Sequence, residues 1–139
     1  MFIGIGKSGR KEQLFRSKYF VLDKKKNIYK ATIKGFDIKS EFVDENIDLY
    51  AMRIARYYLP YLTNIADFLL SCPEFDQEDG IYKGVSKELL MKSLNEPTFT
   101  ILSEDSCLIE YLYQDLDQRV ISFEVGGVYS DFGDLSITD

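Results

Sequence analysis

The hydrophobic residues of this chain change their spacing once, and that change sets the class of fold. Between Asp44 and Cys72 they recur every three or four residues, as on one face of a helix. From Pro97 onward they alternate with polar residues, as in strands that have one face in water. Helices and strands that occupy separate stretches of sequence predict an α+β fold.

Pro60 interrupts the helical pattern. Because proline lacks an amide donor, the segment is predicted to be one kinked helix or two helices, with Pro60 in the first turn of the second. Asp44 is the expected N-cap, and Cys72 is the expected end because it precedes a proline. Farther along, Ser86 is expected to cap a short helix, Lys87 to Leu94.

Runs rich in β-branched and aromatic residues flank the helical middle. On the N-terminal side, Lys18 to Leu22 and Asn27 to Ile33 predict a β-hairpin, and Ile38 to Val43 predicts a further extended piece. The C-terminal side predicts a β-meander from Thr98 to Leu102, Cys107 to Tyr113, Arg119 to Val125 and Leu135 to Thr138. The prediction is a single α+β domain over residues 1 to 139, with helices on one face of an antiparallel sheet and residues 1 to 17 as a flexible basic segment.

The length of 139 residues suits one hydrophobic core. No apolar run approaches the roughly 18 residues that a membrane span needs, and Met1 to Gly6 is too short for the apolar part of a signal peptide. We therefore expect a cytoplasmic protein that does not associate with a membrane.

Residue types that carry catalytic and metal chemistry are scarce. The chain has no histidine, the usual general base near neutral pH. Cys72 and Cys107 supply only half of a typical four-ligand zinc site, and both are expected to be buried thiols. No cofactor and no metal are expected, and the chain is predicted not to be an enzyme. A small hydrolase that uses a pair of carboxylates remains an alternative.

Three short phrases resemble functional motifs without their context. Gly6-Lys7-Ser8 lacks the glycine five positions earlier that a phosphate-binding loop needs. Asp131-Phe132-Gly133 lacks the rest of the kinase signature and is interpreted as a turn. Asp115 and Asp117 lack the glycine and the terminal glutamate of a calcium loop, and are interpreted as part of a solvated turn.

Charge divides the chain into a basic third and an acidic body. Residues 1 to 42 hold eleven lysine and arginine residues against four acidic residues, and residues 43 to 139 hold six against nineteen. Such an acidic body favours a basic partner and repels nucleic acid. In the basic third, lysines interleave with Phe15, Tyr19, Phe20 and Tyr29, so a nucleic-acid-associated adaptor remains an alternative.

The order of elements also resembles a known group of proteins. The residues that carry the resemblance are Pro97-Thr98-Phe99-Thr100-Ile101, Cys107 to Tyr113, Val120 to Val125 and the closing Phe132-Gly133-Asp134-Leu135-Ser136-Ile137. With the small size and the acidity, they resemble small bacterial immunity proteins of polymorphic-toxin and contact-dependent growth-inhibition systems. The resemblance implies a cytosolic, non-catalytic protein that binds and neutralises one cognate toxin domain, commonly a nuclease. Asp134 stands where some relatives have histidine, so no histidine-dependent role carries over.

The residues that would contact such a toxin are predicted from the loops of the acidic body. Exposed loop carboxylates can stand where the phosphates of a nuclease substrate would lie, and tyrosine is common at interfaces. The predicted partner-binding residues are Glu74, Asp76, Glu78, Asp79, Glu104, Asp105, Asp115, Asp117, Asp131 and Asp134, with Tyr82 and Tyr129.

Overall fold

The computed structural model describes residues 17–73, 86–112, 120–127 and 129–138. Within them, three helices pack on one face of an eight-stranded sheet, which confirms the predicted α+β fold. The strands are β1 (Val21–Asp23), β2 (Ile28–Ile33), β3 (Phe36–Ser40), β4 (Thr98–Ser103), β5 (Ser106–Leu112), β6 (Val120–Gly126), β7 (Asp131–Phe132) and β8 (Ser136–Thr138). The helices are α1 (Ile47–Tyr57), α2 (Leu62–Ser71) and α3 (Lys87–Ser93).

A parallel pair of strands joins the N-terminal group of strands to the C-terminal group in one sheet. Its order is β1-β2-β3-β4-β5-β6-β7, and β8 pairs with β6 beside β7. Strands β3 and β4 run parallel, with Asp37 beside Thr98 and Lys39 beside Thr100, whereas the other described pairs are antiparallel. A parallel connection needs a crossover, which the three helices supply. The sequence predicted both groups of strands but not this junction.

Buried and exposed residues alternate along the strands, so the sheet has a core face and an open face. The buried positions that face the helices are Tyr29, Ala31, Ile33, Ile38, Phe99, Ile101, Cys107, Ile109, Tyr111, Ile121, Phe123 and Val125. The helices and their flanks bury Ala51, Ala55, Tyr58, Leu62, Ile65, Leu69, Leu90 and Leu94 against them. Because burying one large apolar side chain contributes about 1.5–3 kcal/mol, this layer stabilises the fold.

The helical segment is broken rather than kinked. Pro60 lies in the connection between α1 and α2, two residues before α2 begins, because Tyr61 still has a non-helical backbone. The predicted N-cap at Asp44 was wrong: the helix begins only at Ile47, so the Asp44 carboxylate accepts the Asn46 amide at 2.8 Å in a turn before it. The predicted cap at Ser86 is confirmed, since its hydroxyl accepts the Leu89 amide at 3.2 Å. None of the helices in the described residues is long and apolar enough to cross a membrane.

Tyr58 lies at the centre of the core. Its ring makes edge-on contacts with Phe36 and Phe99, with ring centres 5.3 and 5.4 Å away. Its hydroxyl donates to the Leu94 carbonyl at 2.5 Å and lies 2.6 Å from the Tyr111 hydroxyl. Because a hydroxyl has one proton, Tyr58 gives it to Leu94 and accepts the proton of Tyr111. A buried chain of two hydrogen bonds therefore ties the helices to β5.

The interpretation of Asp131-Phe132-Gly133 as a turn was wrong. Asp131 and Phe132 form β7, which pairs with the end of β6. The Phe132 ring stacks on Phe68 of α2 with centres 4.6 Å apart, and this packing holds the chain against the sheet. Gly133 then donates its amide to the Glu124 carbonyl at 2.8 Å.

Gly127 directly follows β6, and its replacement by alanine is expected to destabilise the protein by about 1–2 kcal/mol. Its φ is +61°, and an added Cβ would lie 2.7 Å from the Ser130 Oγ. Gly35 is the matched control, because its φ is +83° but nothing lies within 4 Å of an added Cβ. Urea denaturation should show a larger loss for G127A than for G35A; equal midpoints would show that the Ser130 contact carries no cost.

Candidate functional site

A pocket opens at one end of the sheet between α1, the β4–β5 turn and the start of the β6–β7 connection. It encloses about 350 Å³ of space, counted with the solvent at its mouth. Helix α1 contributes Tyr50, Arg53 and Ile54, and the turn contributes Glu104 and Asp105. We call this region the acidic pocket. Two of the predicted contact carboxylates, which are consecutive in the sequence, line it.

Hydrogen bonds within the β4–β5 turn fix its shape. The Ser103 hydroxyl lies 3.1 Å from the Asp105 carboxylate and 2.6 Å from the Ser106 hydroxyl. The pairing register shifts between Ile101 and Ser103, so the turn follows a local irregularity of β4. The carboxylates of Glu104 and Asp105 are consequently presented to solvent on a turn that is held by its own side chains.

One further carboxylate, that of Asp44, lies beside Tyr50. Its hydroxyl donates to Asp44 Oδ2 at 3.2 Å. Partial burial raises the pKa of Tyr50, and the carboxylates of Asp44 and Glu104 raise it further because they disfavour a second negative charge nearby. The sequence assigned Asp44 to a helix cap, and only the fold shows that it lies beside the pocket.

Arg53 connects the helix to the turn. One guanidinium nitrogen donates to the main-chain carbonyl of Glu104 at 3.3 Å. The guanidinium therefore holds the backbone of the turn, and the described structure has no ion pair between Arg53 and the carboxylates of Glu104 or Asp105. This contact places the turn against α1 and leaves both carboxylates available to a partner.

Tyr129 departs from its predicted role as an exposed contact. Its side chain is buried, and its hydroxyl donates to the Ile54 carbonyl at 2.7 Å. Burial raises the pKa of this hydroxyl well above its ordinary value. The backbone has a positive φ of 55°, which is uncommon for a residue other than glycine, and the buried side chain lines the pocket. Tyr129 was predicted to bind the partner from its position in a loop and from its residue type, and neither of these reveals that the side chain is buried.

Asp131 reaches the same end of the sheet, and Asp134 does not. Gly126 pairs with Ser106 on one side and with Asp131 on the other, so Asp131 lies two strands from the β4–β5 turn, about 10 Å away. Asp134 is exposed in the connection between β7 and β8, beside a separate shallow depression next to Phe68. The predicted contacts Glu74, Asp76, Glu78, Asp79, Tyr82, Asp115 and Asp117 lie outside the described residues.

The C-terminal part of the sheet has charge of one sign. Between Thr98 and Thr138 the described residues include no lysine or arginine, and neither described salt bridge, Lys30 with Asp23 or Lys87 with Asp67, involves this part. Its acidic residues are Glu104, Asp105, Glu110, Glu124, Asp131 and Asp134. These carboxylates attract a positively charged partner, although Arg53 of α1 lies against the β4–β5 turn.

Among the described residues of the basic third, part of the aromatic surface on which bases could stack is buried, while Tyr19 stays half-exposed. Phe20 and Tyr29, two of the aromatic residues interleaved with its lysines, are buried in the core. Lys24, Lys25 and Lys26 are exposed in the β1–β2 turn. They can contact phosphate, but bases cannot stack on buried rings, so the fold removes part of the argument for an adaptor.

The pocket is poorly suited to acid–base catalysis by its carboxylates. Glu104 and Asp105 are consecutive and exposed, whereas a carboxylic acid that donates a proton near neutral pH is usually shielded from water. The pocket also reaches Cys107, which is buried and free, and burial raises the pKa of its thiol to about 12. Among the described residues, no three histidine, cysteine or acidic side chains are grouped to hold a metal ion.

No protein-family model, no curated protein and no solved structure matches this chain.

Proposed function

We propose that this chain is a non-catalytic immunity protein that binds and neutralises a basic toxin domain, of the nuclease type. The observation that carries the proposal is the set of carboxylates on the C-terminal part of the sheet, which has no lysine or arginine among its described residues. A nuclease site is positively charged because it holds phosphates, and carboxylates can take their place. The proposal also places the protein in the cytoplasm, where it meets the toxin.

The acidic pocket supplies the centre of the proposed interface. Tyr50 offers an aromatic ring and a hydroxyl between Asp44 and Glu104, and tyrosine is among the residues that most often dominate binding energy. Arg53 and Ser103 hold the turn in one conformation before the partner arrives. Less conformational entropy is then lost on binding.

Charge reversal in the pocket tests the proposal. The tagged protein is used to recover a basic protein from a lysate, and that protein is purified and assayed for nucleic-acid cleavage. We expect the wild-type chain to abolish cleavage at a one-to-one ratio. The variant E104K/D105K should slow association at least about tenfold at low salt and flatten its salt dependence, because steering is lost.

The matched control is E88K/E96K, which changes the net charge by the same amount. Glu88 and Glu96 are both exposed. Glu96 precedes β4 and Glu104 follows it, so the length of the strand separates them by about 20 Å. This control should slow association less than about threefold. An equal effect of both variants would assign the attraction to net charge alone. Cleavage that persists with excess wild-type chain would refute the proposed function.

A further inference from the structure

The face of the sheet that points away from the helices forms a second surface. None of the described helices packs on it, because the buried side chains of β2 to β6 all point to the other face. Its central positions are Lys30, Asp37, Lys39, Thr98, Thr100, Leu108, Glu110 and Glu124. Leu102 and Leu112 lie near its ends and are 41% and 59% exposed. The face is therefore a mixture of charged and apolar groups in contact with solvent.

One row across this face changes sign from one side to the other. The register sets Lys30 beside Lys39, Lys39 beside Thr100, Thr100 beside Leu108, and Leu108 beside Glu124. The row thus passes from two cations on β2 and β3, through two uncharged side chains on β4 and β5, to an anion on β6. Strand β4 is its midpoint.

We propose that two copies of this chain pair through the open face, about a two-fold axis that runs along β4 between the two sheets. Such an axis sets β2 of one copy opposite β6 of the other, and β3 opposite β5. Lys30 of each copy then faces Glu124 of the other, and Thr100 faces Thr100. Sheets that pack face to face lie about 10 Å apart, a gap that lysine and glutamate side chains can span together.

The charge pattern favours a second copy as the occupant, because the axis along β4 sets Lys30 of each copy opposite Glu124 of the other. A two-fold interface places the same surface on both partners, so each cation must find an anion of the same surface. An axis across the strands would instead set β2 against β2 and Lys30 against Lys30. The axis along β4 also sets Asp37 opposite Glu110, since both flank Thr98. These two carboxylates repel each other and weaken the dimer.

The size of the face indicates a weak dimer. Seven strand positions spaced about 4.8 Å apart give a width of about 30 Å, and four to six residues per strand give a length of about 15 Å. This area lies at the low end for specific interfaces. We therefore expect a dissociation constant of about 10–100 μM for the dimer at low salt, and weaker association at high salt.

Sedimentation of the purified chain over a range of concentrations tests this proposal without any toxin. K30E and E124K should each weaken dimerisation about tenfold, since each reverses both symmetric ion pairs. A mixture of K30E with E124K should recover wild-type affinity within about threefold, because every pair in the mixed dimer is again of opposite charge. D37N should tighten the dimer about twofold by relieving the repulsion from Glu110.

The mixture provides the decisive outcome, because no general change in charge or folding restores association between two weakened variants. Thermal melting of each variant checks that Lys30 is not needed for folding through its 3.0 Å contact with Asp23. A wild-type chain that stays monomeric well above 100 μM would overturn the proposal. Single variants that dimerise normally, or a mixture that stays monomeric, would do the same. Neither result would bear on toxin binding at Glu104 and Asp105, although Glu110 and Glu124 of the open face belong also to the carboxylates proposed for toxin binding.

Discussion

Replacement of Tyr58 by phenylalanine should lower the free energy of unfolding by about 2–4 kcal/mol, although it removes only one oxygen atom. The Tyr58 hydroxyl is buried, and it joins the Leu94 carbonyl to the Tyr111 hydroxyl. Without it, both groups stay buried and lose this partner, and each pays the cost of desolvation. Urea denaturation followed by circular dichroism measures the change.

The matched variant is Y111F, which leaves the more important bond intact. Tyr58 still donates to Leu94 in that variant, and only an acceptor position on Tyr58 is left empty. We expect a loss of about 1 kcal/mol. The double variant Y58F/Y111F should cost less than the sum of the two single variants, since it no longer strands the Tyr111 hydroxyl. A cost for Y111F equal to that for Y58F would contradict the assigned direction of the bonds.

Alkaline pH should unfold this protein cooperatively. Burial raises the pKa of the hydroxyls of Tyr58, Tyr111 and Tyr129 well above their ordinary value of 10.0, and raises that of the Cys107 thiol from 9.0 to about 12. A group whose pKa is raised by folding stabilises the fold fully below its unfolded pKa, and this contribution is lost as pH rises. Each group removes about 1.4 kcal/mol per pH unit above its unfolded pKa.

Four such groups together remove roughly 5 kcal/mol per unit above pH 10, enough to exhaust the stability of an ordinary domain within about two units. The last step in tyrosinate absorbance, which reports these buried tyrosines, should therefore coincide with the loss of far-ultraviolet circular dichroism during a titration. Ionisation of the buried tyrosines with the secondary structure intact would show that water reaches this cluster. At neutral pH and below, the same four groups should leave stability independent of pH.

Elements defined by local chemistry could be predicted from the sequence. The hairpin, the division at Pro60, the Ser86 cap and the three-stranded meander each depend on spacing or on one residue type. The parallel pairing of β3 with β4 depends on which strand edges meet in space, so no local pattern carries it. Strand β7 has two residues, too few for any periodicity, and its pairing with β6 and the packing of Phe132 on Phe68 fix it.

The same distinction applies to the candidate site. Glu104 and Asp105 could be chosen because a polar turn between two strand patterns is nearly always exposed. Asp44 and Tyr50 could not, because they come near the turn only when α1 packs across the sheet. The burial of Tyr129 could not be predicted either, because its hydroxyl meets the Ile54 carbonyl only in the folded chain.

The parallel junction of β3 with β4 also has a consequence for biosynthesis. Asp37 and Thr98 pair across about 60 residues of chain, so β3 leaves the ribosome several seconds before its neighbour at a synthesis rate of about 5–20 residues per second. During that interval the free edge of β3 can pair with a strand of another nascent chain. Lys34 and Lys39 lie in the turn before β3 and within it, and lysine on a strand edge opposes such pairing. The basic third is thereby expected to protect the chain from aggregation while it is still being made.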